Sequence, residues 1–160
     1  MKITKEQIEK FFEQKNIALI GVSRNPKDIT RGLYRDLKMH GYQVYAINPN
    51  TNKIDDDTCY PDIENITDKI DSVIIFTPTP ILLNIVERVF KKDIKNIWLY
   101  NGDNKSKSIT DVAESLKGRG VNVILGYCPY MFLSDVQFFH RLHGFFAKLS
   151  GGYYSKLNRS

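Results

Sequence analysis

The segment Asn16 to Asn25 reads Asn-Ile-Ala-Leu-Ile-Gly-Val-Ser-Arg-Asn, an apolar run that stops abruptly at Gly21. Ile17 to Ile20 shows no alternation of polar and apolar residues, which predicts a strand buried on both faces, as strands of parallel sheets are. The glycine, the small and polar residues after it, and then Pro26 and Lys27 predict a tight turn leading into a helix. A strand, turn and helix in this order aim backbone N–H groups and a helix N-terminus at an anion, usually a phosphate.

The remainder of the chain repeats the theme. Thr4-Lys5-Glu6-Gln7 matches a capping box ahead of Ile8, Phe11 and Phe12 at helical spacing, so a first helix falls within residues 1–15. Strands are predicted over Asn16 to Val22, Tyr42 to Asn48, Asp71 to Phe76, Lys95 to Tyr100 and Val121 to Leu125. Helices are predicted from about Thr30 to His40, closed by Gly41, and from Ser108 to Lys117, ended by Gly118 and Gly120. Between them Thr79 as N-cap and Pro80 at the first helical position open a helix carrying Leu82, Val86, Val89 and Phe90. Asn50 to Tyr60 reads as a polar loop, with a weak helical turn near Asp62 to Ile66. The expectation is an α/β, Rossmann-like, doubly wound parallel sheet of five strands with helices on both faces. Residues 1–131 form that domain, and residues 132–160 form an amphipathic C-terminal helix and tail.

A length of 160 residues fits one domain with a core of its own. With 42% hydrophobic and 26% charged residues the chain is neither disordered nor membrane-spanning in composition. Cys59 and Cys128 are far apart and form no Cys-x-x-Cys pair, which reads as reduced thiols in a cytoplasmic protein. The net charge of +5 suits an anionic ligand. Lysines and arginines are interspersed with acids, as in Lys91-Lys92-Asp93, so they read as solvated faces rather than as a nucleic-acid surface.

A sheet of this kind binds ligands beyond the carboxyl ends of its strands, at the switch in strand order. The first turn, Gly21-Val22-Ser23-Arg24-Asn25, departs from G-x-G-x-x-G: a serine stands where the second glycine would leave room for a dinucleotide pyrophosphate. A Ser23 hydroxyl can donate to a phosphate oxygen instead, Arg24 and Lys27 add positive charge, and the Thr30 hydroxyl can cap the helix or meet the ligand. The second strand ends Ala46-Ile47-Asn48-Pro49, without the carboxylate that accepts from the ribose hydroxyls of NAD. Lys53 follows, placed to meet a ribose phosphate. NADP and coenzyme A, with its 3′-phosphate, remain open on these grounds.

The pieces Ile20-Gly21-Val22-Ser23-Arg24-Asn25-Pro26, His40-Gly41-Tyr42-Gln43-Val44, Ile47-Asn48-Pro49, Cys59-Tyr60-Pro61, Ile97-Trp98 and Gly126-Tyr127-Cys128-Pro129 form an ordered set. Together they resemble the single-domain CoA-binding proteins, relatives of the N-terminal domain of the succinyl-CoA synthetase alpha subunit. The resemblance covers roughly Asn16 to Met131. It implies that Gly21, Ser23 and the amides near Arg24 and Asn25 hold the CoA phosphates. Pro49 and Lys53 would border the adenosine end, Thr77 and Pro78 would line the groove, and Asn101 and Gly102 would face the pantetheine. This chain differs from the family in having Asp56 where glycine is usual, and Thr77-Pro78-Thr79-Pro80 where arginines often follow the third strand.

No catalytic arrangement is evident. Cys128 is the best nucleophile candidate but has no His or Asp partner by spacing, and His140 with His143 lacks the further ligands a metal would need. The expectation is thus a module that binds CoA or acyl-CoA, with no metal, nucleic acid or membrane partner. One alternative is an NAD(P)-binding redox-responsive protein. The other is an interaction module whose C-terminal stripe of Phe138, Leu142, Phe145 and Leu149 recruits a partner or a second copy.

Overall fold

The computed structural model describes residues 3–100 and 107–133. Helix α1 (Lys5–Phe12) opens on the capping box: Gln7 N–H donates to Thr4 Oγ1 (3.2 Å) and Thr4 N–H to Gln7 Oε1 (3.0 Å). Strand β1 (Asn16–Ile20) runs through Gly21 towards α2 (Ile29–Met39). Helix α2 closes on Gly41, at φ 85°, with Tyr42 N–H bonded to Leu37 O (3.1 Å) and Gly41 N–H to Lys38 O (3.0 Å). This Schellman closure needs a left-handed residue, which glycine supplies. Strands β2 (Gln43–Ile47), β3 (Lys53–Ile54) and β4 (Asp57–Tyr60) follow, then a 3-10 turn at Ile63–Asn65 and β5 (Ser72–Ile75). Helix α3 (Thr79–Lys91), β6 (Asn96–Leu99), α4 (Lys107–Gly118) and β7 (Asn122–Leu125) complete the elements, and residues 130–133 begin a further helical turn.

The strands make one seven-stranded sheet in the order β3-β4-β2-β1-β5-β6-β7, not the five-stranded one expected. Six strands are parallel, and β3 alone pairs antiparallel, with β4. The additional pair lies in the segment expected to be a polar loop. Ile54 and Cys59 turn inward there while the intervening acids form the hairpin, with Asp55 in the left-handed region at φ 51°. The parallel order, β4-β2-β1-β5-β6-β7, is that of the doubly wound dinucleotide folds, with its switch between β1 and β5.

Both sheet faces are covered, which explains the unbroken apolar runs. On one face α1 and α2 bury Phe11, Phe12, Leu33 and Leu37 against Leu19, Ala46, Ile74 and Trp98. Phe132 and Leu133 close this core, and the Trp98 ring packs on Phe11 (5.2 Å) and Phe132 (5.6 Å). On the other face α3, α4 and the 3-10 turn bury Leu82, Val86, Val89, Ile109, Leu116 and Ile63 against alternate residues of the same strands. Helix α3 takes Pro78, not Thr79, as its N-cap: Pro78 is extended (φ −57°, ψ 147°) and its carbonyl accepts from Ile81 N–H (3.3 Å). Pro80 then sits in the first turn, where its missing N–H costs no intrahelical bond.

Candidate functional site

The carboxyl ends of β1, β2 and β5 frame a cleft of about 290 Å³ on the α3 face of the sheet. Strand ends contribute Ile20, Gly21, Ile47, Pro49 and Thr77. The 3-10 turn adds Ile63, and one stripe of α3 adds Ile81, Asn84, Ile85 and Arg88. The lining is mostly apolar, and its two charged groups, Arg88 and Asp62, pair with each other. A ring system fits such a wall; a bare polyanion does not.

Two details mark the cleft. Gly21 lies at φ 91°, and a Cβ there would stand 2.2 Å from the carbonyl oxygen of Phe76. The backbones leaving β1 and β5 therefore touch, and only glycine permits it. Beside it Thr77 is 7% exposed, and its Oγ1 is buried without a hydrogen-bond partner among the described residues. A buried hydroxyl lacking a partner is costly, which marks this wall of the cleft.

Beyond Gly21 the chain crosses to the α2 side as a tightly knitted loop. Asn25 N–H donates to Ser23 Oγ (3.1 Å), which leaves the hydroxyl proton of Ser23 to donate elsewhere. Ser23 N–H donates to Thr30 Oγ1 (2.9 Å), and Lys27 N–H to Asn25 Oδ1 (3.1 Å). Thr30 is buried, and its hydroxyl donates to Asp28 Oδ1 (2.6 Å), so it belongs to the loop's scaffold rather than to its outer surface. Asp28 also caps α2 by accepting from Thr30 N–H (2.9 Å). The helix N-terminus thus already carries a carboxylate. Asn48 Nδ2 donates to Val22 O (2.8 Å) and fixes the loop against the end of β2.

Of the residues singled out in the sequence, Gly21, Pro49 and Thr77 share the cleft. Ser23, Arg24 and Asn25 form the adjoining loop, and the Arg24 and Lys27 side chains are exposed. Pro78 follows Thr77 as the α3 cap. Lys53 is exposed on β3, the outermost strand, away from the cleft lining. Asn101, Gly102, His140, His143 and the C-terminal aromatic stripe lie outside the described residues.

Of the consecutive acids Asp55, Asp56 and Asp57, the first and last turn towards α2. Asp55 accepts from Arg35 Nε and Nη2 (2.9 Å each) and pairs with Arg31. These bonds, Arg35's foremost, hold its carboxyl down at about 2. Lys38 and the Tyr34 hydroxyl hold Asp57 below the usual carboxylate range. Both acids are therefore engaged by basic or phenolic partners on α2. Burial raises the Cys59 thiol, the reverse of what a nucleophile needs. Among the described residues no group of three or more His, Cys, Asp or Glu could hold a metal, and no helix is long and apolar enough to cross a membrane.

A family model described as a CoA binding domain matches residues 15–134. The chain belongs to this family. As a CoA-binding domain it is similar to the ADP-forming acetate–CoA ligase II of Archaeoglobus fulgidus, 29% identical over 120 residues, 70% of this chain and 18% of the relative. The ADP-forming acetate–CoA ligase of Methanocaldococcus jannaschii is 28% identical over 105 residues, 59% of this chain and 15% of that protein. The chain spans only 15% to 25% of the length of such curated relatives. A solved hypothetical protein from Pyrococcus horikoshii OT3 superposes with a TM-score of 0.72 at 27% identity, over 84% of this chain and 93% of its own. The fold also recurs in the dinucleotide-forming acetyl-coenzyme A synthetase 1 of Ca. Korarchaeum cryptofilum, solved with phosphate and ADP: TM-score 0.61, 24% identity, 72% of this chain and 26% of that one.

The inner wall of the cleft, on α3, is not among the residues singled out from sequence. Its signal was present: Ile81, Asn84, Ile85 and Arg88 form a second stripe at helical spacing beside the core stripe of Leu82, Val86 and Val89.

Proposed function

We propose that this domain binds coenzyme A, or an acyl-CoA, across the carboxyl edge of the sheet. The adenine ring would enter the apolar cleft between Pro49, Ile63 and Ile81. The phosphates would pass over Gly21 to the Ser23 hydroxyl and the exposed cations Arg24 and Lys27. The observation that carries this reading is the apolar cleft at the switch point, lined in part by Thr77, whose hydroxyl oxygen is buried with no hydrogen-bond partner among the described residues. The cleft volume, about 290 Å³, is at the lower end for small-molecule sites of roughly 300–1,000 Å³, so it suits one end of an extended ligand. Family membership makes CoA the natural candidate, and Asn48 in place of a carboxylate at the end of β2 argues against NAD. The domain would act by holding its ligand.

A ligand at about a hundred times its Kd stabilises the native state by about 2.7 kcal/mol, equivalent to roughly 5–10 °C in the melting temperature of a domain this size. Millimolar CoA is expected to produce such a rise, and NAD little or none. No rise with CoA, or a larger one with NADP, would overturn the assignment. Ser23→Asp locates the site: a carboxylate can still accept the Asn25 N–H, so the loop keeps its shape while phosphate is repelled. The variant should melt as the wild type does without ligand and lose the CoA-dependent rise; retention of the full rise would place the phosphates elsewhere.

A further inference from the structure

We infer that Arg31 is a positioning residue for the ligand's phosphates, acting through the backbone of the Ser23–Asn25 loop rather than by its charge. This rests on the CoA-binding reading and adds a residue to it. Arg31 projects from the first turn of α2 and is 6% exposed, although it carries a full charge. Its Nη1 donates to the carbonyls of Ser23 (3.3 Å) and Arg24 (3.2 Å), and its Nη2 donates to Asp55 in the β3–β4 hairpin. Its Nε is buried without a partner among the described residues. Burying a guanidinium is costly, and here its carboxylate partner cancels the charge a phosphate would otherwise feel.

What the fork delivers is direction. In a trans peptide the N–H points opposite to the C=O of the same unit. Drawing the Ser23 carbonyl inward therefore turns the Arg24 N–H outward, and drawing the Arg24 carbonyl inward does the same for the Asn25 N–H. The latter is taken by Ser23 Oγ, which in turn frees the Ser23 hydroxyl proton. The Arg24 N–H has no protein partner among the described residues. Arg31 thus presents two donors, the Arg24 N–H and the Ser23 O–H, on the outer side of the loop. Asp55, clamped as well by Arg35, ties the fork to the hairpin. The loop, the adjoining α2 and the more distant hairpin meet at one guanidinium, so the outward set of the loop does not depend on ligand being present.

The test compares wild type, Arg31→Lys and Arg31→Met by calorimetric titration with CoA, with the Arg24 amide resonance followed in the ligand-free proteins. Hydrogen bonds to charged groups are worth enough that losing one weakens binding about tenfold or more. Arg31→Met should bind CoA about tenfold or more weakly and shift the Arg24 amide. Arg31→Lys, keeping charge and one donor but not the fork, should fall between. A residue that merely supported the fold would lower the melting temperature and leave affinity below that temperature unchanged. Equal CoA affinity in wild type and Arg31→Met, or an unmoved Arg24 amide, overturns the inference while leaving the CoA reading intact. Should wild type not bind CoA, the CoA reading falls and inorganic pyrophosphate becomes the probe. Weaker pyrophosphate binding by Arg31→Met would then uphold the inference, and equal or undetectable binding by both proteins would end it.

Discussion

Replacing Gly21 by alanine places a methyl carbon 2.2 Å from the Phe76 carbonyl oxygen, 3.0 Å from its carbonyl carbon and 3.4 Å from its Cβ. Neither backbone can retreat freely. Gly21 N–H is bonded to Ile47 O (2.9 Å), and Phe76 N–H to Ile20 O (2.8 Å), so separating the two segments strains the ladder on both sides of β1. The positive φ of 91° adds its own cost. An L side chain in that region costs about 1–2 kcal/mol, and forcing extra volume into a packed site about 1–3 kcal/mol. The sum is about 2–5 kcal/mol, and its middle corresponds to a melting temperature roughly 7–14 °C lower for a domain this size. Gly41→Ala is the control. Its φ of 85° imposes a similar backbone penalty, but nothing lies within 4 Å of the added carbon. It should therefore lose only about 1–2 kcal/mol. Urea unfolding of both variants, with m-values checked for constancy, separates the steric part from the conformational part. If Gly21→Ala is no less stable than Gly41→Ala, the close approach of β1 and β5 at the cleft is not as described.

Other expectations follow from the same site. Thr77→Val removes a hydroxyl that has no protein partner among the described residues, so stability should hold or rise by up to about 1 kcal/mol while CoA affinity falls several-fold; unchanged affinity would detach Thr77 from the ligand. Asp55 has its folded pKa depressed to about 2 from 3.8, chiefly by Arg35 and then by Arg31. Its stabilisation is therefore complete above about pH 5 and lost as pH falls through 4 towards 2, by about 1 kcal/mol after allowing for a one-third exposed side chain. The stability difference between wild type and Asp55→Asn should narrow over that interval, and a constant difference would contradict the Arg31–Asp55–Arg35 clamp.

The layered fold was legible because its strands are buried on both faces and its helices are punctuated. Ile17 to Ile20 and Val73 to Phe76 announce parallel strands, the capping box at Thr4 opens α1, and Gly41 closes α2. The hairpin was not legible. Two short strands joined through Asp55 and Asp56 bring no Asn-Gly or Gly-rich turn, and Ile54 and Cys59 are too few to show a period of two. Nor does the sequence reveal the partners of the consecutive acids Asp55 to Asp57. In the fold, Arg31, Arg35, Lys38 and Tyr34 lie on one side of α2 and engage Asp55 and Asp57. The Gly21–Ser23 turn was readable from residue type alone. The orphaned Thr77 hydroxyl was not, since being without a partner is a property of the packed chain.

Amide chemical-shift mapping of the isotope-labelled domain during a CoA titration tests the placement of the ligand most directly. Saturable shifts are expected at Gly21 through Asn25, at Thr77 and along the Ile81–Arg88 stripe, with the opposite edge of the sheet around Gln7, Asn96 and Asn122 unmoved. Shifts concentrated at that opposite edge, or none at saturating CoA, would contradict that placement.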